Sequence, residues 1–338
     1  MRLVVVGPGS LGQVFAAVLA RAGHQVWLVG RADHVAALRQ DGIRLVGADP
    51  LSLPVTTASE PAAGQIAVAD GLGAGTPVDA LLFMTKAHQL AAAAEPLRHL
   101  EPTAVLGMQN GMAKDDILAD AFGTERVLGA VTVIAAARLD DGTVQVTQKG
   151  GTWVGPGFAP LTPARQAVAE AVVAALSASG YPAALREDMR AVEWAKAANA
   201  LAAFGVGIAT RASNPEIWAT PAWVAAFQLL CREAIAVARA AEGIEVPDLP
   251  GFPVHTYAEL SPEALFDRFG RKTPPDPAAP RHYASMVQDL LAGRRLEVDA
   301  VFGDVIRRAR AAGVAVPALE FAWRLAQGFD AHAPGRPS

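Results

Sequence analysis

The sequence predicts an α/β domain built on a mostly parallel sheet, followed by an all-α domain. Three observations carry this. The chain opens on Met1-Arg2-Leu3-Val4-Val5-Val6, a buried-strand pattern, and passes through the turn Gly7-Pro8-Gly9-Ser10-Leu11-Gly12 into an apolar helical segment. Short apolar runs then alternate with helical stretches, which is βαβ patterning. From Asp188 onward, alanine-rich segments with helical spacing dominate and strand signals nearly vanish. At 338 residues the chain exceeds one typical domain. The expected division is 1–187 and 188–330, with a frayed tail over 331–338.

Taken in order, the first strand leads into a helix over 10–21 stopped by Gly23, and His24 opens a second strand ending at Val29. Further strands are expected at 42–46, 78–84, 104–108 and 127–133. The turn Leu139-Asp140-Asp141-Gly142 joins strands over 131–136 and 143–147, which gives the sheet an antiparallel edge. A helix over 163–179 and a strand over 183–185 close the first domain. In the second, helices are expected over 283–291 and 296–312, the latter stopped by Gly313. The prolines of 273–280 require a loop between them and the preceding helices.

The glycine-rich turn has the G-x-G-x-x-G spacing, placed between strand and helix as dinucleotide binding requires. Gly7 and Gly9 let the backbone turn tightly and approach a pyrophosphate, while Gly12 lets helix and strand pack closely. Pro8, Ser10 and Leu11 complete a loop whose N–H groups and helix dipole face the phosphates. The first domain is therefore expected to be of the Rossmann type. The second strand ends in Gly30-Arg31, with no carboxylate to repel a 2′-phosphate and a guanidinium able to pair with one. That favours NADP(H) over NAD; the alternative is Asp33 as a displaced ribose ligand.

Composition narrows the remaining classes. Hydrophobic residues make up 52% of the chain and charged residues 18%, so the chain is globular and not disordered. A net charge of −4 without a basic tract leaves no footprint for nucleic acid, and Arg307, Arg308 and Arg310 read as a solvated helix face. Cys231, the only cysteine, excludes an internal disulfide and any cysteine-based zinc site. The seven histidines lack ligand spacing, so no metal is expected. A first strand beginning at residue 2 leaves no room for a charged leader, which together with the lone cysteine fits the cytoplasm. The apolar stretch between Lys196 and Arg211 is too short for a membrane span, and no membrane partner is expected. Oligomeric state is constrained only to monomer or homodimer.

Beyond the loop, Met84-Thr85-Lys86-Ala87 and Met108-Gln109-Asn110-Gly111-Met112 follow successive strands at their carboxyl ends. Val192-Glu193-Trp194-Ala195-Lys196 opens the helical domain, Ser285-Met286-Val287-Gln288-Asp289 precedes Glu297-Val298-Asp299, and Arg307-Arg308-Ala309-Arg310 leads to Gly313-Val314-Ala315-Val316-Pro317. Together these resemble the ketopantoate reductase (2-dehydropantoate 2-reductase) family over nearly the whole chain. The resemblance implies a helical domain like that of 6-phosphogluconate dehydrogenases. It also implies NADPH-dependent reduction of a small 2-oxo acid, ketopantoate to D-pantoate in pantothenate biosynthesis being the archetype. Lys196 would be the proton donor and Glu297 its acidic partner, facing cofactor and substrate. Lys86 and Asn110 would lie at the cofactor, Asn110 where nicotinamide meets substrate, and Asn214 and Ser285 would contact substrate. Asn214 also fits a helix N-cap before Pro215.

Hydride arriving at a carbonyl carbon leaves charge developing on oxygen, so a cation that can also donate a proton serves the transition state twice. Lys196 is followed by no charged residue until Arg211, surroundings that favour its neutral form. The chain departs from the family after Lys196: asparagines expected four and eight residues on are Ala200 and Phe204, and Asn199 stands one position early. This leaves two substrates open, ketopantoate and a more apolar 2-oxo acid. A non-catalytic NADP-binding sensor is a third reading, against which Lys196 and Glu297 both argue.

Overall fold

A computed structural model describes residues 1–273, 275–276 and 281–332. Most of the proline-rich interval and most of the expected tail lie outside the described residues. The chain forms two compact units, Met1–Gln109 with Lys114–Met189, and Asn110–Ala113 with the chain from Arg190 onward. A single cut near residue 187 therefore misses one segment, because Asn110–Ala113 groups with the second unit.

The first unit holds strands β1 (Arg2–Val6), β2 (Gln25–Val29), β3 (Ile43–Gly47), β4 (Leu51–Leu53), β5 (Ile66–Ala69), β6 (Ala80–Phe83), β7 (Ala104–Gly107), β8 (Val127–Thr132), β9 (Ala135–Arg138), β10 (Val144–Gln148), β11 (Thr152–Pro156) and β12 (Ala183–Leu185). Among the described residues the main sheet runs β12-β11-β8-β7-β6-β1-β2-β5. From β5 to β8 every pairing is parallel. Strand order reverses beside β1, and sheets of this kind take ligands at the carboxyl ends of the strands at such a reversal, here β1 and β6. Both faces are covered: Leu3 and Val5 pack with helices Ser10–Arg21 and Pro163–Ala178, while Val4 and Val6 join Leu81, Phe83 and Leu118 on the other side. The period of two along β1 thus sends successive residues into separate cores.

The expected antiparallel edge is built differently. The run 127–136 breaks after Thr132, whose hydroxyl accepts a hydrogen bond from the Ile134 N–H at 3.3 Å. β8 stays in the main sheet, whereas the β9–β10 hairpin leaves for a separate sheet of order β4-β3-β10-β9. β3, expected in the main sheet, pairs with β10 and β4 there. The antiparallel step of the main sheet comes from β11 on β8, Thr152 opposite Thr132 with their hydroxyl oxygens 2.9 Å apart. Gly155 and Pro156 make β11 read as loop in sequence.

Asp49 ties the smaller sheet to the first helix. Its buried carboxylate accepts from the Tyr181 hydroxyl at 2.8 Å and from Arg21 at 3.3 and 3.4 Å, with the Lys149 ammonium at 3.2 Å. Burial pushes this carboxyl up, but the Tyr181, Arg21 and Lys149 donors outweigh it, so the net shift is downward. The stabilisation is complete above the ordinary aspartate value of about 3.9 and is lost as pH falls through the lower folded-state value. Asp49→Asn is expected to cost about 2 kcal/mol at neutral pH. Urea melts should show the gap between wild type and variant narrowing below about pH 4.

Among its described residues the second unit has the helices Asn214–Trp218, Pro221–Glu242, Val254–Glu259, Pro262–Phe269, Ser285–Leu291, Asp304–Ala311 and Pro317–Ala331 after the long helix Met189–Thr210 that enters it, joined by loops and one isolated bridge between Leu249 and Phe252. The helix expected over 283–291 begins at Ser285. The one expected from 296 begins later and opens with a wide π-helical turn, Asp299–Gly303. Arg308 is not a solvated residue: it pairs with Asp304 at 3.0 Å and with Glu242 at 3.1 Å, and Glu242 is gripped bidentately by Arg190 at 2.7 Å. That network anchors the start of the long helix to its neighbours. Pro221–Glu242 is long and apolar enough to cross a membrane by length and composition. Val224, Phe227 and Ala234 of that helix are buried core, and its Glu233 accepts from the Ala318 and Leu319 N–H groups.

Candidate active site

In the first unit the glycine loop has the form a bound pyrophosphate needs. Gly7 has φ +103°, and a Cβ there would stand 2.8 Å from Thr85 Cγ2, so the loop lies directly against the residue that follows β6. A Cβ on Gly12 would collide with the Gly7 carbonyl oxygen. Gly9, by contrast, faces open space. It is the N-cap of helix Ser10–Arg21 without a side-chain cap, and the first turn carries no acid. The first N–H groups of the helix therefore lack the side-chain acceptor that usually closes such an end. The buried Gln13 Oε1 and Thr85 Oγ1 have no hydrogen-bond partner in the protein, while Gln13 Nε2 donates to the Pro8 carbonyl at 3.2 Å. Open backbone, an uncapped helix dipole and the unsatisfied Thr85 hydroxyl, which can donate, together fit a polar, phosphate-bearing ligand.

Arg31 is the N-cap residue of helix Ala32–Asp41, 71% exposed at its side chain, and pairs with Asp33 at 3.3 and 3.4 Å. The two rival ribose ligands thus hold each other. The Arg31 hydrogen bonds lower the Asp33 carboxyl from its ordinary value. Lys86 is half-buried beyond the end of β6. A neighbour the sequence did not single out is Gln109, whose buried Nε2 donates to the Phe83 carbonyl at 2.9 Å and the Thr85 carbonyl at 3.1 Å. Its side chain clamps the ends of β6 and β7 together. A glutamine after a strand was the available signal, but it has no pattern of its own.

In the second unit lie Asn110, Lys196, Asn199, Asn214, Ser285 and Glu297. Along the long helix, Val192, Trp194, Ala195, Ala197, Ala198 and Leu201 are buried, while Lys196, Asn199 and Ala203 form a half-exposed stripe at helical spacing. Ala200 and Phe204, the positions where the family carries amides, are 7% and 3% exposed. Glu297 is 4% exposed, and a buried carboxylate is tolerated only when engaged.

Asn214 does not cap its helix. Ser213 does, in a capping box with Glu216 at 2.6 and 2.8 Å, and Asn214 is the first helical residue. Its N–H donates to the His282 carbonyl at 2.8 Å, which brings it beside the segment leading to Ser285. Ser285 itself is exposed. Gly207 of the long helix packs so closely on Val287 that a Cβ would stand 2.6 Å from Cγ2. The long helix, the Asn214 segment and the Ser285 helix are therefore neighbours.

Two family models match the chain: Ketopantoate reductase PanE/ApbA over residues 3–157, and Ketopantoate reductase PanE/ApbA C terminal over residues 188–330. A 2-dehydropantoate 2-reductase of Halobacterium salinarum is 30% identical over 321 residues, spanning 94% of this chain and 95% of that protein. Another, from Pyrococcus abyssi, is 26% identical over 333 residues and 98% of each chain. Among solved structures, D-mandelate dehydrogenase with NADH and anilino(oxo)acetate has a TM-score of 0.79 at 23% identity, over 99% of this chain and 100% of that one. A PanE/ApbA family ketopantoate reductase from Ralstonia eutropha has a TM-score of 0.76 at 25% identity, over 98% and 99%.

Proposed function

This chain belongs to the ketopantoate reductase family, and from that premise we propose that it reduces a 2-oxo acid to the 2-hydroxy acid with NADPH, ketopantoate to D-pantoate being the first reading. The observation that carries the catalytic assignment is Lys196, a cation on the half-exposed stripe of a helix whose other residues over 192–204 are mostly buried and apolar.

Gly7, Pro8, Gly9, Ser10, Leu11 and Gly12 would hold the pyrophosphate, Arg31 the 2′-phosphate, and Lys86, Asn110 and Glu297 would lie along the cofactor. When bound, NADPH supplies the hydride that reaches the carbonyl carbon. Lys196 stabilises the charge that develops on the carbonyl oxygen and gives that oxygen its proton, leaving a neutral amine and the 2-hydroxy acid. Asn110 orients the carbonyl by hydrogen bonding, and Asn199, Asn214 and Ser285 contact the rest of the substrate. Glu297 holds the ammonium in place.

The second reading, a more apolar 2-oxo acid, rests on Ala200 and Phe204, which offer no amide to a hydroxyl-bearing substrate. NADPH consumption over a panel of 2-oxo acids separates the two. The first reading expects the highest kcat/KM on ketopantoate. A site built to bind a substrate hydroxyl discriminates far more strongly than an apolar pocket does, so preference for an aromatic acid by about tenfold or more gives the second. NADPH binding without turnover on any member would make the chain a sensor.

A further inference from the structure

Asn110–Ala113 follows β7 in sequence but groups with the helical unit, and within it Gly111 makes a close approach. Gly111 has φ +92°. A Cβ there would stand 2.7 Å from the Ala300 carbonyl oxygen and 3.4 Å from Val301 Cα. Ala300 belongs to the wide turn Asp299–Gly303, which begins two residues after Glu297. Turns of this type hold one residue more than an α-turn and recur at functional sites. A side chain at residue 111 would meet the Ala300 carbonyl at this approach, so only a residue without one lets the 110–113 segment lie against the turn.

We propose that Gly111 and the wide turn form a latch that holds Asn110 in register with Glu297, so that Gly111 is a positioning residue acting through Asn110. The proposal rests on the roles given above to Asn110 and Glu297. A carbon ordinarily approaches a carbonyl oxygen to about 3.3–3.6 Å, so a methyl at Gly111 displaces the segment by more than half an ångström. Misplacement on the order of 1 Å costs about 100-fold in rate.

The test compares Gly111→Ala with Gly123→Ala in the full chain. Gly123 also has φ +92°, but a Cβ there meets only the end of the flexible Glu125 side chain. The control thus carries the backbone strain without the latch. Gly111→Ala is expected to lose kcat/KM on the preferred 2-oxo acid by about tenfold or more relative to Gly123→Ala. Amide hydrogen exchange should rise together in 110–113 and 299–303. Equal kcat/KM in the two variants, or unchanged exchange in 299–303, overturns the latch. If the wild type reduces no 2-oxo acid, the reductase reading fails while the exchange comparison still decides the latch. Should Gly111→Ala not fold, Gly111→Asn, which adopts positive φ more readily and keeps the Cβ, takes its place with the same outcomes.

Discussion

Lys196→Ala is expected to lower kcat on the preferred 2-oxo acid by about 10³-fold, within the range a positioned general acid contributes. NADPH binding should be largely retained, because the glycine loop and Arg31, which would hold the phosphates, belong to the other compact unit. The two contributions of the lysine can be separated. Lys196→Arg keeps a cation near the developing oxyanion but replaces a titratable ammonium with a guanidinium that does not give up its proton. It should therefore recover part of the electrostatic stabilisation and none of the proton transfer, leaving kcat between alanine and wild type. Steady-state kinetics with saturating NADPH, beside a fluorescence titration of the cofactor, measures both quantities. A kcat for Lys196→Ala equal to that of wild type removes the assignment. Loss of NADPH binding in the same variant shows that it damaged the fold and not the acid.

What the sequence disclosed follows how local each feature is. The strand, glycine turn and helix over residues 2–21 are contiguous, so pattern and turn chemistry agree within one window. Lys196 stood out because no charged residue follows it until Arg211. β11 was hidden by Gly155 and Pro156, and β9 left the main sheet through a break after Thr132 that no periodicity marks. An apolar spacing of three and four continues through 296–312 whether the backbone is α or π, so the wide turn was invisible. Asn110 groups with the helical unit, and its neighbour Gly111 lies against Ala300 and Val301, a long-range approach that pattern reading along a single chain does not reach.

Arg31→Ala is expected to reduce the preference for NADPH over NADH by about 100-fold, the worth of two charge-assisted hydrogen bonds to a phosphate at roughly 1.5 kcal/mol each. The effect depends on what Arg31 must release. Its guanidinium holds Asp33 at 3.3 and 3.4 Å, and those bonds keep the Asp33 carboxyl ionised down to lower pH than an isolated aspartate. Both side chains are largely exposed, so the pair itself is weak and screened by salt. A dianionic 2′-phosphate should displace Asp33 readily. Asp33→Asn then removes a competitor and a repelling charge, and should tighten NADPH while leaving NADH nearly unaffected. The two variants move the cofactor ratio in opposite directions only if Arg31 holds the 2′-phosphate. If Arg31→Ala leaves the NADPH Kd unchanged and Asp33→Asn weakens NADH, the ribose ligand is Asp33, and the cofactor this loop was shaped for is NADH.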